Sequence, residues 1–244
     1  MTQNVEVFHF NDAEGVATAA AQAVVLRLEQ LLEAKPFVHL NITGGTVGIL
    51  TLAKLAEIDS TVEWNRVHIW WGDERFVEKA SNDRNAVQAN NAWLAASAIP
   101  SENIHPFPAS DDGFTLDEAA ASFEQEVAKY ATGGASAPVF DLVLLGMGPD
   151  GHVASLFPGS EAFRSSTTVI AEHNSPKPPP QRLSFTYDAI NSASEVWFTV
   201  AGADKAAAVE SVFTDENCVL PAAKIAGANK TVWFVDQAAG ASAK

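Results

Sequence analysis

The feature that most constrains this chain is a repeated alternation. Short apolar runs of strand length are separated by longer stretches with helical spacing, and the runs tend to end at a glycine or a charged corner. Phe37–Ile42, Val67–Trp71, Phe140–Leu145, Thr168–Ala171, Arg182–Tyr187, Glu195–Ala201 and Thr231–Val235 read as strands. Asn11–Ala34, Val47–Glu57, Asn85–Ala98, Thr115–Tyr130 and a segment from Lys205 to Phe213 read as helices, with Asn11 or Asp12 as the first N-cap. Strands alternating with helices predict an α/β fold whose mainly parallel sheet has helices on both faces. A length of 244 residues suits a single α/β domain spanning 1–244. The stretch Ala131–Pro138 is read as a surface loop or as the boundary of a small additional lobe.

In such folds ligands bind beyond the carboxyl ends of the strands. Four corners of unusual composition fall there: Gly44-Gly45-Thr46, Asp73-Glu74-Arg75, Asp150-Gly151-His152 and Gly202-Ala203-Asp204-Lys205. If the strands are parallel, all four open onto one rim.

Each corner also has a plainer reading. Glycines at a strand-to-helix turn let free N–H groups approach an anion, but Gly44-Gly45-Thr46 can equally be a tight turn with Thr46 as N-cap. Arg75 can present a guanidinium to a phosphate, or belong to a solvated cluster held by Asp73 or Glu74. Lys205 fits a helix start poorly unless an anion offsets its charge. Arg182 is an edge-strand charge or faces the pocket. Val153–Phe157 is read as the start of a helix, which places His152 at a helix N-terminus, where the dipole favours the neutral imidazole. A neutral histidine is a competent general base, and Asp150 can orient it or cap the turn. No G-x-S-x-G elbow supplies a serine nucleophile, so activated water or proton transfer on a sugar carbon is the chemistry that fits. His9, His39, His68, His105 and His173 lack this context and read as structural.

Composition narrows the partners. Lys+Arg of 15 against Asp+Glu of 30 gives a net charge of -15, which disfavours nucleic acid and anionic membranes. A local basic pocket can still bind a small anion. The single cysteine, Cys218, excludes an intrachain disulfide and is read as a buried small hydrophobe. Neither a signal peptide nor a membrane-spanning apolar run is seen, so a soluble cytoplasmic protein is expected. No metal-ligand spacing such as H-E-x-x-H occurs.

Taken together, I-T-G-G-T (42–46), V-H-I-W-W-G-D-E-R-F-V (67–77), the Asn82 and Asn85 region, D-L-V-L-L-G-M-G-P-D-G-H-V-A-S-L-F-P-G (141–159), P-K-P-P-P-Q-R-L-S-F-T (176–186), G-A-D-K-A (202–206), L-P-A-A (220–223) and V-W-F-V-D (232–236) resemble the 6-phosphogluconolactonase family. This family shares its Rossmann-like fold with glucosamine-6-phosphate deaminases. The long D-G-H-x-A-S-L-F-P match is the specific one. The deaminase branch typically carries an acid in F-N-E-P, where this chain has Phe157, which favours lactone hydrolysis over deamination. Val47, Val153 and Ala223 depart from the proline, threonine and serine often found at those positions. The last two remove side-chain hydroxyls.

The resemblance implies hydrolysis of 6-phospho-D-glucono-1,5-lactone without cofactor or metal. His152 would be the base and Asp150 its partner. Gly44, Gly45, Thr46, Asp73, Arg75, Arg182 and Lys205 would hold the sugar phosphate, and N–H groups of the 146–152 loop would meet the oxyanion. An amino-sugar phosphate deaminase or isomerase and a non-catalytic sugar-phosphate sensor are the alternatives. The oligomeric state stays open, a monomer being compatible with the sequence.

Overall fold

The computed structural model describes residues 4–131, 137–160, 165–241 and 243, so the core of the Ala131–Pro138 loop lies outside the described residues. Its main sheet contains β1 (Val5–Phe10), β2 (Val38–Ile42), β3 (Val67–Trp71), β5 (Leu142–Leu145), β8 (Glu195–Val200) and β9 (Lys230–Asp236). All are parallel, in the order β1-β9-β8-β5-β2-β3. A second sheet joins β4 (Asp73–Arg75), β7 (Arg182–Phe185) and β6 (Val169–Glu172) in antiparallel pairs.

The expected parallel α/β architecture is thus observed, with local corrections. Val5–Phe10 is a strand at the sheet edge, and its intermittent burial explains why its sequence carries little apolar signal. Asp73–Arg75 is not only a corner after β3 but a short strand, paired to Ser184, Leu183 and Arg182. The helix expected from Val153 does not form. Gly151 and Ala154 take φ of 73° and 48°, and Val153 bridges Leu156 as an isolated β-bridge, so the chain turns back on itself instead of coiling.

Each helix has a legible start. Asp12 accepts from Gly15 N at 2.8 Å to cap α1 (Ala13–Ala34), and Val16, Ala20, Val24, Leu28 and Leu31 bury one stripe against the sheet. Thr115 and Glu118 form a capping box at α4 (Leu116–Ala128). In α3 (Asn85–Ala92) the α-helix stops at Ala92, short of the expected Ala98, and a 3₁₀ turn at Leu94–Ala96 follows. Arg182–Tyr187 divides into β7 and the start of α5 (Tyr187–Asn191), because Thr186 Oγ1 accepts from Ala189 N and caps a helix there. The remaining helices are α2 (Gly45–Glu57) and α6 (Ala206–Thr214).

β3, β5 and β8 are buried along their whole length, as strands covered on both faces must be. Leu40 lies at the centre of β2, between Ile69 and Leu142, and is 0% exposed. Leu40→Ala should therefore lose about 2–5 kcal/mol of stability, read as a lower urea midpoint.

A cluster of three histidines is packed on one face of β2 and β3. His68 Nδ1 and His105 Nε2 share a hydrogen bond at 2.9 Å, and His39 and His105 each stack near His68. Trp70 stacks on His105 at 4.0 Å. Burial pushes His39 and His105 down to about 4 and also lowers His68. His68 adds to the lowering of both neighbours, while Asp141 beside His39 and Glu126 beside His105 oppose it only in part. Unfolding returns these rings to about 6.5, so the unfolded chain binds more protons between the two values. Stability should be full above pH 6.5 and fall as pH drops toward 4. In urea titrations across that window, His105→Gln should show a shallower pH slope than the parent.

Candidate active site

The carboxyl ends of β2, β3, β5, β8 and β9 open onto one cavity of about 560 Å³. Gly44, Gly45, Thr46, Asp73, Arg75, His152, Arg182 and Lys205 all line it, with Asn85, Lys177 and Asp236. Asp150 is not among the lining residues but pairs with His152. The site lies where β2 and β5 run side by side and their connections depart in opposite directions, the position favoured for ligands in open α/β sheets.

The loop after β5 presents His152. Gly148 N donates to His152 O and Gly151 N to Gly148 O, both at 2.9 Å, so the loop closes on itself. His152 Nδ1 lies 2.5 Å from Asp150 Oδ1. A carboxylate accepts, so Nδ1 carries the proton and Nε2 keeps its lone pair as the base. Gly148 is required here, since a Cβ on it would sit 2.0 Å from the His152 ring. Ala222 N donates to Gly151 O at 3.0 Å and Leu220 packs against Gly151, so the L-P-A-A stretch buttresses the turn.

The expected helix dipole does not act on His152, because no helix follows. Burial lowers its pKa instead. Asp150 opposes that, and Lys177 adds to it. Phe157 contributes to the burial, its ring centroid 4.8 Å from that of His152. Burial acts to raise the Asp150 carboxyl, but the His152 bond and the charges of His152 and Lys177 outweigh it and hold the carboxyl below its ordinary range. The pair is thus a neutral imidazole against a carboxylate at neutral pH.

Gly44 is the N-cap of α2 and no side chain caps this helix, which also has no acid in its first turn. Thr46 is therefore inside the helix, not its cap. The amide end of α2 faces the cavity as an anion-accepting surface. Gly45 has φ of 78°, and a Cβ on Gly44 would run into Asn85 Oδ1.

The second corner is not a solvated cluster. Glu74 is buried and accepts from Arg75 N, Asn85 N and Ala86 N at 2.7–2.9 Å, capping α3. Burial raises its pKa, and Arg84 and these N–H groups offset that only in part. Asp73 is also buried. It accepts from Ser155 Oγ at 2.6 Å and Asn85 Nδ2 at 3.3 Å, so its carboxylate shapes the site from within. Arg75 Nη1 donates to Asp83 O at 2.6 Å, which aims the guanidinium along the cavity wall.

Lys205 is the N-cap of α6 and pairs with exposed Asp204 at 2.8 Å. Asp236 shapes that corner by accepting from Gly202 N. Arg182 belongs to the middle strand of the small sheet, not an edge. It is buried. Its Nε donates to Pro179 O, and its Nη2 to Pro178 O and Lys177 O.

Sequence reasoning therefore named eight of the lining residues and left Asn85, Lys177, Asp236 and the buried Ser155 without a role. Lys177 carried a signal: a lone cation inside P-K-P-P-P, where prolines restrict the main chain. Ser155 and Asp236 act through hydrogen bonds to distant segments, which spacing cannot show. Among the described residues, no group of three or more His, Cys, Asp or Glu is placed to hold a metal ion. None of the described helices is long and apolar enough to cross a membrane.

A four-cation cavity above a parallel sheet, with a neutral histidine–carboxylate pair at one end and bare helix amides at the other, defines an α/β site for acid–base chemistry on a small anion. The chain belongs to the glucosamine-6-phosphate isomerase/6-phosphogluconolactonase family, whose model matches residues 11–233. It is 41% identical to the 6-phosphogluconolactonase of Mycobacterium tuberculosis over 99% of this chain and 98% of that protein. The Mycobacterium leprae 6-phosphogluconolactonase is 40% identical with the same coverage. The crystal structure of the Thermotoga maritima 6-phosphogluconolactonase superposes with a TM-score of 0.85 at 29% identity, over 96% of this chain and all of that one.

An NMR titration of the His152 ring should give a midpoint below 6.5, the ordinary histidine value. Phe157→Ala, by opening the ring to water, should move that midpoint upward.

Proposed function

We propose that this protein hydrolyses 6-phospho-D-glucono-1,5-lactone to 6-phosphogluconate, the second step of the oxidative pentose phosphate pathway. The observation that carries this reading is the His152–Asp150 pair at 2.5 Å in a cation-lined cavity. The 6-phosphogluconolactonases to which the chain is similar support it.

The phosphate sits on the uncapped amides of Gly45 and Thr46 at the start of α2, with Gly44 leaving room for its approach. Arg75 and Lys205 supply charge, and Lys205 exchanges Asp204 for the phosphate. Arg182 contributes its charge, since two of its nitrogens are already bonded to carbonyls. Asp73 acts as part of the wall, holding Ser155 and Asn85 in place. Anchoring the phosphate fixes the far end of the substrate and so places C1 near His152.

His152 Nε2 takes a proton from water as the water oxygen bonds to C1. The carbonyl π pair moves onto the C1 oxygen. When that pair returns, the bond from C1 to the ring oxygen breaks and the ring oxygen receives the proton from His152. Asp150 stabilises the imidazolium formed in between and keeps the proton on Nδ1 throughout. No nucleophilic side chain is required: Ser155 is buried and committed to Asp73.

Phe157 also bears on the choice against a deaminase. It places an aromatic ring on His152, and a ring at this position supplies no carboxylate to assist sugar opening. A sensor would need none of the polarisation built into the His152–Asp150 pair.

The test is an assay on freshly generated lactone, corrected for its spontaneous opening. His152→Ala should lose about 10²- to 10⁴-fold in kcat while still binding 6-phosphogluconate. Arg75→Ala and Lys205→Ala should chiefly raise KM, in a salt-sensitive way. Ammonia released from glucosamine 6-phosphate, or binding of fresh lactone without turnover, would overturn the reading.

A further inference from the structure

The turn that carries His152 was expected to supply the oxyanion donors from its own amides. The structure commits three of those amides within the turn itself. Gly148 N is bonded to His152 O, Gly151 N to Gly148 O, and His152 N faces Asp150 Oδ1 at 3.5 Å. With these three amides engaged, negative charge developing on the C1 oxygen is met better by a cationic donor from another segment.

Lys177 meets that need in position and in availability. Its Nζ lies 3.3 Å from His152 Nδ1 and 3.6 Å from Asp150 Oδ1, and the residue lines the same cavity. Because Nδ1 donates its proton to Asp150, it has no lone pair to offer the ammonium. The Asp150 contact is longer than a hydrogen bond. The ammonium is therefore held beside the base by charge; among the described residues it has no hydrogen-bond acceptor, and its side chain is partly open to solvent.

The main chain beneath it is, by contrast, fixed from both sides. Lys177 N donates to Ser175 Oγ at 3.2 Å, and Ser175 Oγ donates to Lys177 O at 2.9 Å. Arg182, buried in the small sheet, ties Lys177 O, Pro178 O and Pro179 O with bonds of 3.0–3.3 Å. A buried guanidinium spending its donors on three consecutive carbonyls makes sense if the loop it holds must present something accurately. The one charged side chain on that loop is Lys177.

Resting on the lactonase reading, we propose that Lys177 is a catalytic residue whose ammonium donates a hydrogen bond to the C1 oxyanion, and that Arg182 is the residue that positions it. As water adds to C1, the electron pair pushed onto the carbonyl oxygen is met by a Lys177 N–H. Lys177 keeps its proton throughout. When the pair returns to re-form the carbonyl, the C1–ring oxygen bond breaks and His152 protonates the leaving oxygen. The ammonium beside His152 also makes the imidazolium a readier donor to that oxygen.

The experiment measures kcat and KM for fresh lactone, with separate binding of 6-phosphogluconate. The parent enzyme, Lys177→Met, Lys177→Arg and Arg182→Lys are compared after thermal melts establish that each is folded. Lys177→Met should lose on the order of 10²- to 10³-fold in kcat with little change in KM or product binding. Its kcat/KM should also rise with pH at a higher midpoint, since a cation has left the side of His152. Lys177→Arg, or methylammonium added to Lys177→Ala, should restore part of the rate. Arg182→Lys should lower kcat more than it raises KM. No turnover by the parent would sink the lactonase reading itself. With an active parent, a kcat within about threefold of it in Lys177→Met would overturn the role of Lys177, and so would a rise in KM alone, which would mark the lysine as a phosphate anchor.

Discussion

The site depends on the uniform parallel direction of the main sheet. Because β2, β3, β5, β8 and β9 all point the same way, segments separated by up to about two hundred residues end on one rim. Reversing any one of them would carry its loop to the opposite edge. The directional constraint is maintained by the core beneath, where β3, β5 and β8 are buried on both faces and cannot slip in register without exposing apolar side chains. Binding chemistry at the rim thus rests on packing several residues below it.

The protein carries a net charge of -15, yet its cavity presents Arg75, Lys177, Arg182 and Lys205. The two facts are compatible because charges act over a Debye length, about 8 Å at physiological salt. The cavity lining holds four cations against three acids, a balance opposite in sign to that of the whole protein. The acids among them have local work: Asp73 holds Ser155, and Asp236 shapes the Gly202 corner. Arg182 spends its donors on the loop that carries another cation, Lys177.

His152 shows two routes to one electrostatic outcome. A helix N-terminus would have favoured the neutral imidazole through its dipole. The structure reaches the same state through burial, with Phe157 against the ring and Lys177 alongside, while Asp150 fixes the tautomer. Positive φ at Gly151 and Ala154 permits a compact turn where a helix was expected. Short apolar segments such as Val153–Phe157 carry no period long enough to separate helix from bridge.

The sequence by itself determined the strand and helix alternation, a first helix beginning after Asn11 or Asp12, and the four corners that meet at the rim. These are local quantities: periodicity, propensity and turn chemistry act over a few residues. Only the tertiary structure decided that Asp73–Arg75 is a strand, that Glu74 caps α3, that Asp73 is bonded to Ser155 and that Arg182 grips the proline loop. Each of those depends on a partner brought near by folding, and hydrogen bonds between segments leave no spacing in the chain. Lys177 lies between the two cases. Its charge and its proline setting were on the page of the sequence, but its place beside His152 exists only once β5 and the loop before β7 are packed together.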